Sequence, residues 1–558
     1  MNIVEKKLIQ LAYKCIHRKK YEYAEIIIKR LLRVNPNDPQ ILREIGIIFA
    51  ASSDYRRALK FINKSFELKK SVETLQILAD MNGKCENHAE AAVQYEELTK
   101  YIDSEEVYSN CVLAYQNLDL YKEAVRIAKL AIEKFGSAYS YSILCHMYIA
   151  CGMGKEAEEY CKILEAKYPN SPTTFNALAF LNEAVYNDYA TAKKYFIKAA
   201  KSGMTEAYYN LGSCCKNNED FVNAEKYLKK LIALKPNSAM DYNYTLGSVY
   251  MAQRKLRLGY KYYQKRHSAK QTKERYKHKI WDGKDYPDKV LYVAAEQGMG
   301  DNIQFIRYLP YAAKKFKKIV YGASPKLYEL FKNSFNTKET SNIEIVRLGA
   351  PIRFHKVALI MDLPYILHMN FYNIPAKRKY LTCNKEKTAY FKTKYFNNDK
   401  LKVGLCWRAK GEGLRDAIYR TIDAPYYFKP LFDISNIQYY SLQLGDFFNM
   451  CEKYPQIIDL STELKTFDDT AAVMKNLDIM ITVDTAVAHL AGALGLKTYL
   501  LLCHAPDWRW FENTSKTEWY PSIKIIRQQD RRTWDDVSDT LYKKISKDAK
   551  NFSRHHKS

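Results

Sequence analysis

Along the second half of the chain, hydrophobic residues fall into short unbroken runs separated by polar turns. This is the pattern of strands buried on both faces. Such runs occupy residues 290–295, 318–321, 343–348 and 356–361, then 403–408, 438–444, 457–460, 478–483, 497–502 and 523–526. An amphipathic helix over 534–545 follows them. The sharpest stretch is 477–511, LDIMITVDTAVAHLAGALGLKTYLLLCHAPDWRWF. It predicts a strand ending at Val483, a helix over 486–494 capped by Asp484 or Thr485 and closed by Gly495, and a second strand. In open parallel sheets, ligands sit at the carboxyl ends of strands, against helix N-termini. The turn Asp484-Thr485-Ala486 is therefore a candidate anion site, most naturally for a diphosphate. An ordinary capped helix accounts for the same spacing.

The first half carries a different period. Ala24, Ala58, Ala91, Ala124, Ala157, Ala192, Ala224 and Gly259 stand 32 to 35 residues apart. Four residues after each comes Ile28, Ile62, Tyr95, Ala128, Cys161, Phe196, Leu228 or Tyr263. Three further on the apolar or small series continues from Leu31 to Leu231, until Arg266 breaks it. This pattern resembles the tetratricopeptide repeat, two antiparallel helices per unit, which buries its apolar face only by stacking on neighbours. The array covers about residues 5–268. Its resemblance implies a concave face that binds a protein or peptide, with a spacer or dimerisation role as the alternative.

Composition narrows the setting. At 558 residues the chain needs two or three domains, and 47% hydrophobic against 27% charged residues excludes a disordered protein. The formal net charge of +26 asks for an anionic partner: a nucleotide sugar, an anionic membrane surface or nucleic acid. Nucleic acid is disfavoured because no recognisable binding module is present. The twelve cysteines include no CxxC pair and read as small buried residues in a reducing compartment. The charged, amphipathic N-terminus does not read as a signal peptide, and no apolar run reaches membrane-span length.

Four motifs then occur in one order: EQGMGDNIQFIRYLP from Glu296, VGLCWRAKGEG from Val403 with Tyr419-Arg420-Thr421-Ile422 after it, VDTAVAHLAGALG from Val483, and APDWRWF from Ala505 with Trp519-Tyr520-Pro521-Ser522. Together they resemble the glycosyltransferase-like domain of bacterial tetratricopeptide proteins, related to the ADP-heptose:lipopolysaccharide heptosyltransferases. The resemblance covers about residues 281–545. It implies the GT-B arrangement, two Rossmann-like lobes with a cleft between them, and an inverting, hexosyl- or heptosyl-type transfer without a metal or other cofactor. On that resemblance Asp301 is the candidate general base, which would take the acceptor proton; helix capping is the competing role. Asp484, Thr485, Ala486 and His489 are candidates for the donor diphosphate, His489 equally a satisfied core histidine. Arg408, Lys410 and Arg420 are the candidate cations for the leaving group. Gln297, Gly298, Gly300, Trp407, Trp508 and Arg509 are candidate pocket residues, the last two equally a core corner.

The expected architecture is an all-α repeat solenoid over residues 1–270, an acceptor-side α/β lobe over 271–385 and a nucleotide-sugar lobe over 386–558, joined by a polar linker. The expected function is a cytoplasmic glycosyltransferase, peripheral at the inner membrane face as a variant of that location. A non-catalytic scaffold with a degenerate transferase-like half is the alternative. The sequence leaves open the sugar, the nucleotide, the acceptor and the oligomeric state.

Overall fold

The alanine and glycine positions of the repeat pattern are where helices meet. In the computed structural model the chain divides into two compact units, Met1–Met204 and Thr205–Ser558. Residues 2–555 are described, except 19, 53, 86, 237, 238, 267, 268, 270, 271, 274, 377, 378, 410–419, 423, 424, 446–449, 513 and 532.

In the first unit helices pair off along the chain: α1 (Ile3–His17) with α2 (Tyr21–Val34), α3 (Pro39–Ala51) with α4 (Tyr55–Leu68), α5 (Val72–Lys84) with α6 (His88–Leu98), α7 (Glu105–Asn117) with α8 (Tyr121–Phe135), α9 (Ala138–Ala150) with α10 (Gly154–Lys167), and α11 (Pro172–Ala184) with α12 (Tyr189–Lys201). The six anchor alanines from Ala24 to Ala192 are all buried, as are Ile28, Ile62, Phe196, Leu31, Leu98 and Leu164 beyond them. A methyl group added at Gly46 would come within 2.4 Å of Ile62 Cδ1, so a side chain there would force Ile62 to move at the crossing of α3 and α4. Helix starts follow local chemistry: Asp38 accepts from the Gln40 and Ile41 amides at 2.8 and 3.0 Å ahead of a proline at the first helical position. This unit is a tetratricopeptide-type helical array.

The second unit opens with two further pairs, α13 (Ala207–Asn217) with α14 (Phe221–Leu234) and α15 (Ala239–Ala252) with α16 (Leu256–Tyr263). Two parallel sheets follow. The first comprises β1 (Tyr286–Ala294), β2 (Phe316–Ala323), β3 (Ile343–Arg347) and β4 (Lys356–Leu359), in the order β3-β2-β1-β4. The second comprises β5 (Leu401–Cys406), β6 (Ile437–Ser441), β7 (Ile457–Asp459), β8 (Ile479–Val483), β9 (Thr498–Leu502) and β10 (Ile523–Arg527), in the order β10-β9-β8-β5-β6-β7. Every expected strand is present within one to four residues of its expected limits. In each sheet the chain works outward in one direction, then crosses back to continue on the other side. That reversal makes a topological switch point between β1 and β4, and another between β5 and β8.

The helices that matter for the site are α17 (Met299–Phe305) after β1, α18 (Pro325–Ser334), α19 (Lys385–Tyr395), α20 (Phe467–Met474), α21 (Ala486–Leu494) after β8, and α22 (Asp535–His555). Gly495 ends α21 in the left-handed conformation at φ 72°, where a side chain would be strained. Two expectations need correction. The polar stretch between the sheets is no plain linker: it forms α19, buries Phe391, and its Tyr380 and Leu381 amides donate to Ala493 O at 2.9 and 3.2 Å. The sheets do not stand apart at their switch points either, because small residues let α17 and α21 pack together. A methyl group at Gly300 would lie 2.9 Å from His489 Cδ2 and 3.3 Å from Ala486 Cα. Among the described residues, no helix is long and apolar enough to cross a membrane.

Candidate functional site

The site is assembled where β1 and β8 end. After β1 the chain turns through Glu296 and Gln297, and Gln297 takes a left-handed φ of 59°, uncommon for a residue with a side chain. Gly298 is extended at the start of α17, and its amide donates to Asp301 Oδ2 at 3.0 Å. The other carboxylate oxygen of Asp301 accepts from Arg509 Nη2. Asp301 therefore caps its helix and faces the crevice at once. Burial raises its pKa, against the opposing Arg509 charge.

Arg509 is the hub. Its Nη1 donates to Asp507 Oδ1 and its Nε to Gln304 Oε1, both at 2.7 Å, and the guanidinium lies 4.4 Å from the centre of the Trp508 ring. Burial alone would raise the Asp507 carboxyl; the Arg509 charge and hydrogen bonds outweigh it and hold the group low. Trp519 Nε1 donates to Arg509 O at 2.7 Å, fixing the turn that carries the arginine.

Asp484 closes β8 and is buried. Arg420 Nη1 donates to the Asp484 carbonyl at 3.1 Å and stands 3.8 Å from Oδ2. Burial pushes the Asp484 carboxyl up to about 6, with Arg420 pulling the other way. Thr485 caps α21, its hydroxyl accepting from the Val487 amide at 3.2 Å, and Ala486 is the first helical residue. His489 is buried, with Nδ1 2.8 Å from the Tyr520 hydroxyl and its ring stacked on Trp510 at 5.2 Å. Burial, then the Arg509 charge, keep it neutral.

Asp301, Asp484, Thr485, Ala486, His489, Arg420 and Arg509 are thus brought together. Arg408 stands at the end of β5, where its amide and that of Trp407 both donate to Gln443 Oε1, at 2.9 and 3.2 Å. The Trp407 side chain packs into the core of the second sheet with Leu405 and Ile422, so it does not line the crevice. Trp508 is also buried, edge-on to Tyr260 and Tyr263 of α16. Lys410 lies outside the described residues.

Two parts of the site escaped sequence reasoning. Arg307 is buried, donates to Trp519 O and the Tyr380 hydroxyl at 2.8 and 2.9 Å, and sits 4.6 Å from the Tyr380 and Tyr520 rings, pinning the first sheet's helices to the second lobe. The second is a buried ion cluster at the β1/β4 switch point. Arg266, 2% exposed, reaches in from beyond α16 to pair with Glu296 through two donors and with Asp362 at 2.7 Å; Lys273 joins Asp362 at 2.7 Å. Beside it, Tyr263 of α16 donates its hydroxyl to Gln297 Oε1 at 2.9 Å. The break at Arg266 in the repeat series was the available signal. The last helix pair thus holds the turn that carries Asp301. A small open depression is walled by Lys216, Phe221 and Ser248 on one side and by Asp507, Trp508 and Glu512 on the other.

Comparison with known proteins adds the following. No family model matches the sequence. Protein FlbA of Caulobacter vibrioides (strain ATCC 19089 / CIP 103742 / CB 15) is 26% identical over 287 residues, 46% of this chain and 46% of its own length. The match therefore spans about half of that relative. Among solved structures, a tetratricopeptide repeat protein from Parabacteroides merdae ATCC 43184 is similar at 18% identity, over 43% of this chain and 97% of its own, with a TM-score of 0.35. Yeast Tom70 is similar at 16% identity, over 46% of this chain and 58% of its own, with a TM-score of 0.35. The repeat architecture stated above rests on the helix pairs themselves.

Proposed function

We propose that the two sheets of the second unit form a GT-B-type glycosyltransferase that moves a sugar from a nucleoside diphosphate donor to an acceptor hydroxyl, with inversion. The observation that carries this reading is the meeting of two strand–turn–helix units from different sheets. It sets Asp301 and Asp484, far apart in sequence, around the same pair of arginines.

Asp301 takes the proton of the attacking hydroxyl, and burial makes its carboxylate a stronger base than an exposed aspartate. The diphosphate lies at the N-terminal end of α21, where the helix amides and Arg420 meet its charge. The acceptor approaches through the cleft between α13–α15 and the Asp507–Glu512 turn, so the helix pairs present a protein or peptide acceptor. The Asp301–Arg509 ion pair also favours the second reading, a scaffold in which both residues only hold the fold.

Donor turnover across a panel of nucleotide sugars separates the two, with Asp301→Asn as the control. Asparagine caps a helix as well as aspartate does but is no base near neutral pH. The variant is expected to keep donor binding and lose roughly a hundredfold or more in turnover. Absence of turnover with every donor, or full turnover in the variant, would contradict the catalytic role.

A further inference from the structure

The positive charge of the chain is concentrated. Residues 251–400 hold 32 lysines and arginines against 12 aspartates and glutamates, in a chain whose total excess is 26. This span contains the whole first sheet. Parallel strands all begin at one edge of a sheet, and here that edge is the one opposite Asp301.

Lysines gather there. Lys284 precedes β1 and Lys289 lies within its first half; Lys317 and Lys318 are the second and third residues of β2; Lys356 opens β4; Lys279 precedes Ile280, which bridges to Val357 of β4. Lys279, Lys284, Lys289, Lys317 and Lys318 are exposed, and Lys356 is half-buried. Two of these ammonium groups crowd one ring, Lys289 and Lys356 at 4.6 and 4.9 Å from the centre of Tyr286, and Lys279 lies 5.0 Å from Phe354. Part of this charge is met locally, Lys318 by Glu344 at 2.8 Å and Lys284 by Asp282 at 4.0 Å, while Asp285 is spent on Lys315. Among the described residues, the lysines left without a carboxylate partner repel one another, and an external anionic surface relieves that repulsion.

We infer that this edge docks the chain on an anionic lipid bilayer, which leaves the crevice around Asp301 on the far side of the lobe. Lysines are point charges on long stems; they follow a diffuse field of headgroups and do not need the fixed fork geometry that arginine brings to single phosphates. Tyr286 and Phe354 are already faced by ammonium groups, so they offer no free faces for stacking bases, as a nucleic-acid site would.

The test is co-sedimentation of the full chain with vesicles of phosphatidylcholine alone and of phosphatidylcholine mixed with phosphatidylglycerol, at low and high salt. Retention is expected only on the mixed vesicles and is expected to weaken with salt. A variant carrying Lys284→Glu, Lys289→Glu and Lys317→Glu should lose binding. The corresponding glutamine variant should fall by about fivefold for each lysine removed. Neither should melt below wild type, because these side chains are exposed. Equal retention on neutral vesicles, no retention on either, or variants that sediment like wild type would overturn the inference. So would salt-sensitive binding to duplex DNA by a chain that ignores the vesicles, which would make nucleic acid the partner.

Discussion

At the β1/β4 switch point the crevice is filled by the chain itself: Arg266 and Lys273 meet Glu296 and Asp362, two cations against two carboxylates. At the β5/β8 switch point, among the described residues, Asp484 faces Arg420 across 3.8 Å, beside Asp301, Asp507 and Arg509. Among the described residues the first is a matched network that fastens the last helix pair to the sheet. The second holds a carboxylate out of water, and that burial lifts Asp484 to about 6. One topology thus serves as a clasp in the first sheet, and in the second it is the ligand site we propose. Because a charged carboxylate opposes an anionic diphosphate, binding at the second crevice favours the protonated form of Asp484.

Breaking the clasp has the largest expected effect. Arg266→Met strands Glu296 in a buried place and leaves Asp362 with Lys273 alone, which costs about 3–5 kcal/mol. Urea unfolding should show that loss. A variant within 1 kcal/mol of wild type, a small fraction of the usual cost, would mean that water reaches the network. Next in size is Gly300→Ala, which drives a methyl group against His489 and Ala486 where α17 meets α21. Overpacking of this kind costs about 1–3 kcal/mol. It should lower the melting temperature and widen the distance between the two turns, measurable as a loss of nucleoside diphosphate affinity.

The smallest effect is a pH dependence. Asp484 has a raised pKa in the folded chain, so between about 4 and 6 the native state keeps a proton that the unfolded state has lost. Its contribution to stability is present below that window and falls as pH rises through it. A bound diphosphate, being anionic, raises the pKa further, so affinity should strengthen as pH drops from 7.5 toward 6 (about half a unit to a whole unit in log Kd per coupled proton). Asp484→Asn should flatten the profile; titration at several pH values checks it.

The fold was legible wherever burial leaves a local mark. Alanines spaced by one repeat, and apolar runs such as those at Val403 and Ile479, announce helix crossings and two-sided strands by themselves. Thr485 and Gly495 announce the ends of α21 for the same reason. What the sequence hid depends on long-range geometry. Arg266 was visible as a break, but its partners Glu296 and Asp362 lie 30 and 96 residues away. Arg509 was read as part of a pocket, whereas its contact with Asp301 spans 208 residues. Trp407 misled because β5 is covered on both faces, so the alternation of residues along it does not say which side meets the crevice. The half-buried Asp301 offered two roles by its position, and the structure gives it both contacts.

The central claim, that the second switch point and not the first takes the ligand, is tested most directly by calorimetric titration of the full chain with nucleoside diphosphates. The account predicts binding by the wild type and a loss of at least about tenfold, or 1.4 kcal/mol, in Arg420→Met, which removes one charge-assisted contact to the diphosphate. No binding by the wild type to any nucleoside diphosphate, or equal binding by Arg420→Met, would contradict it.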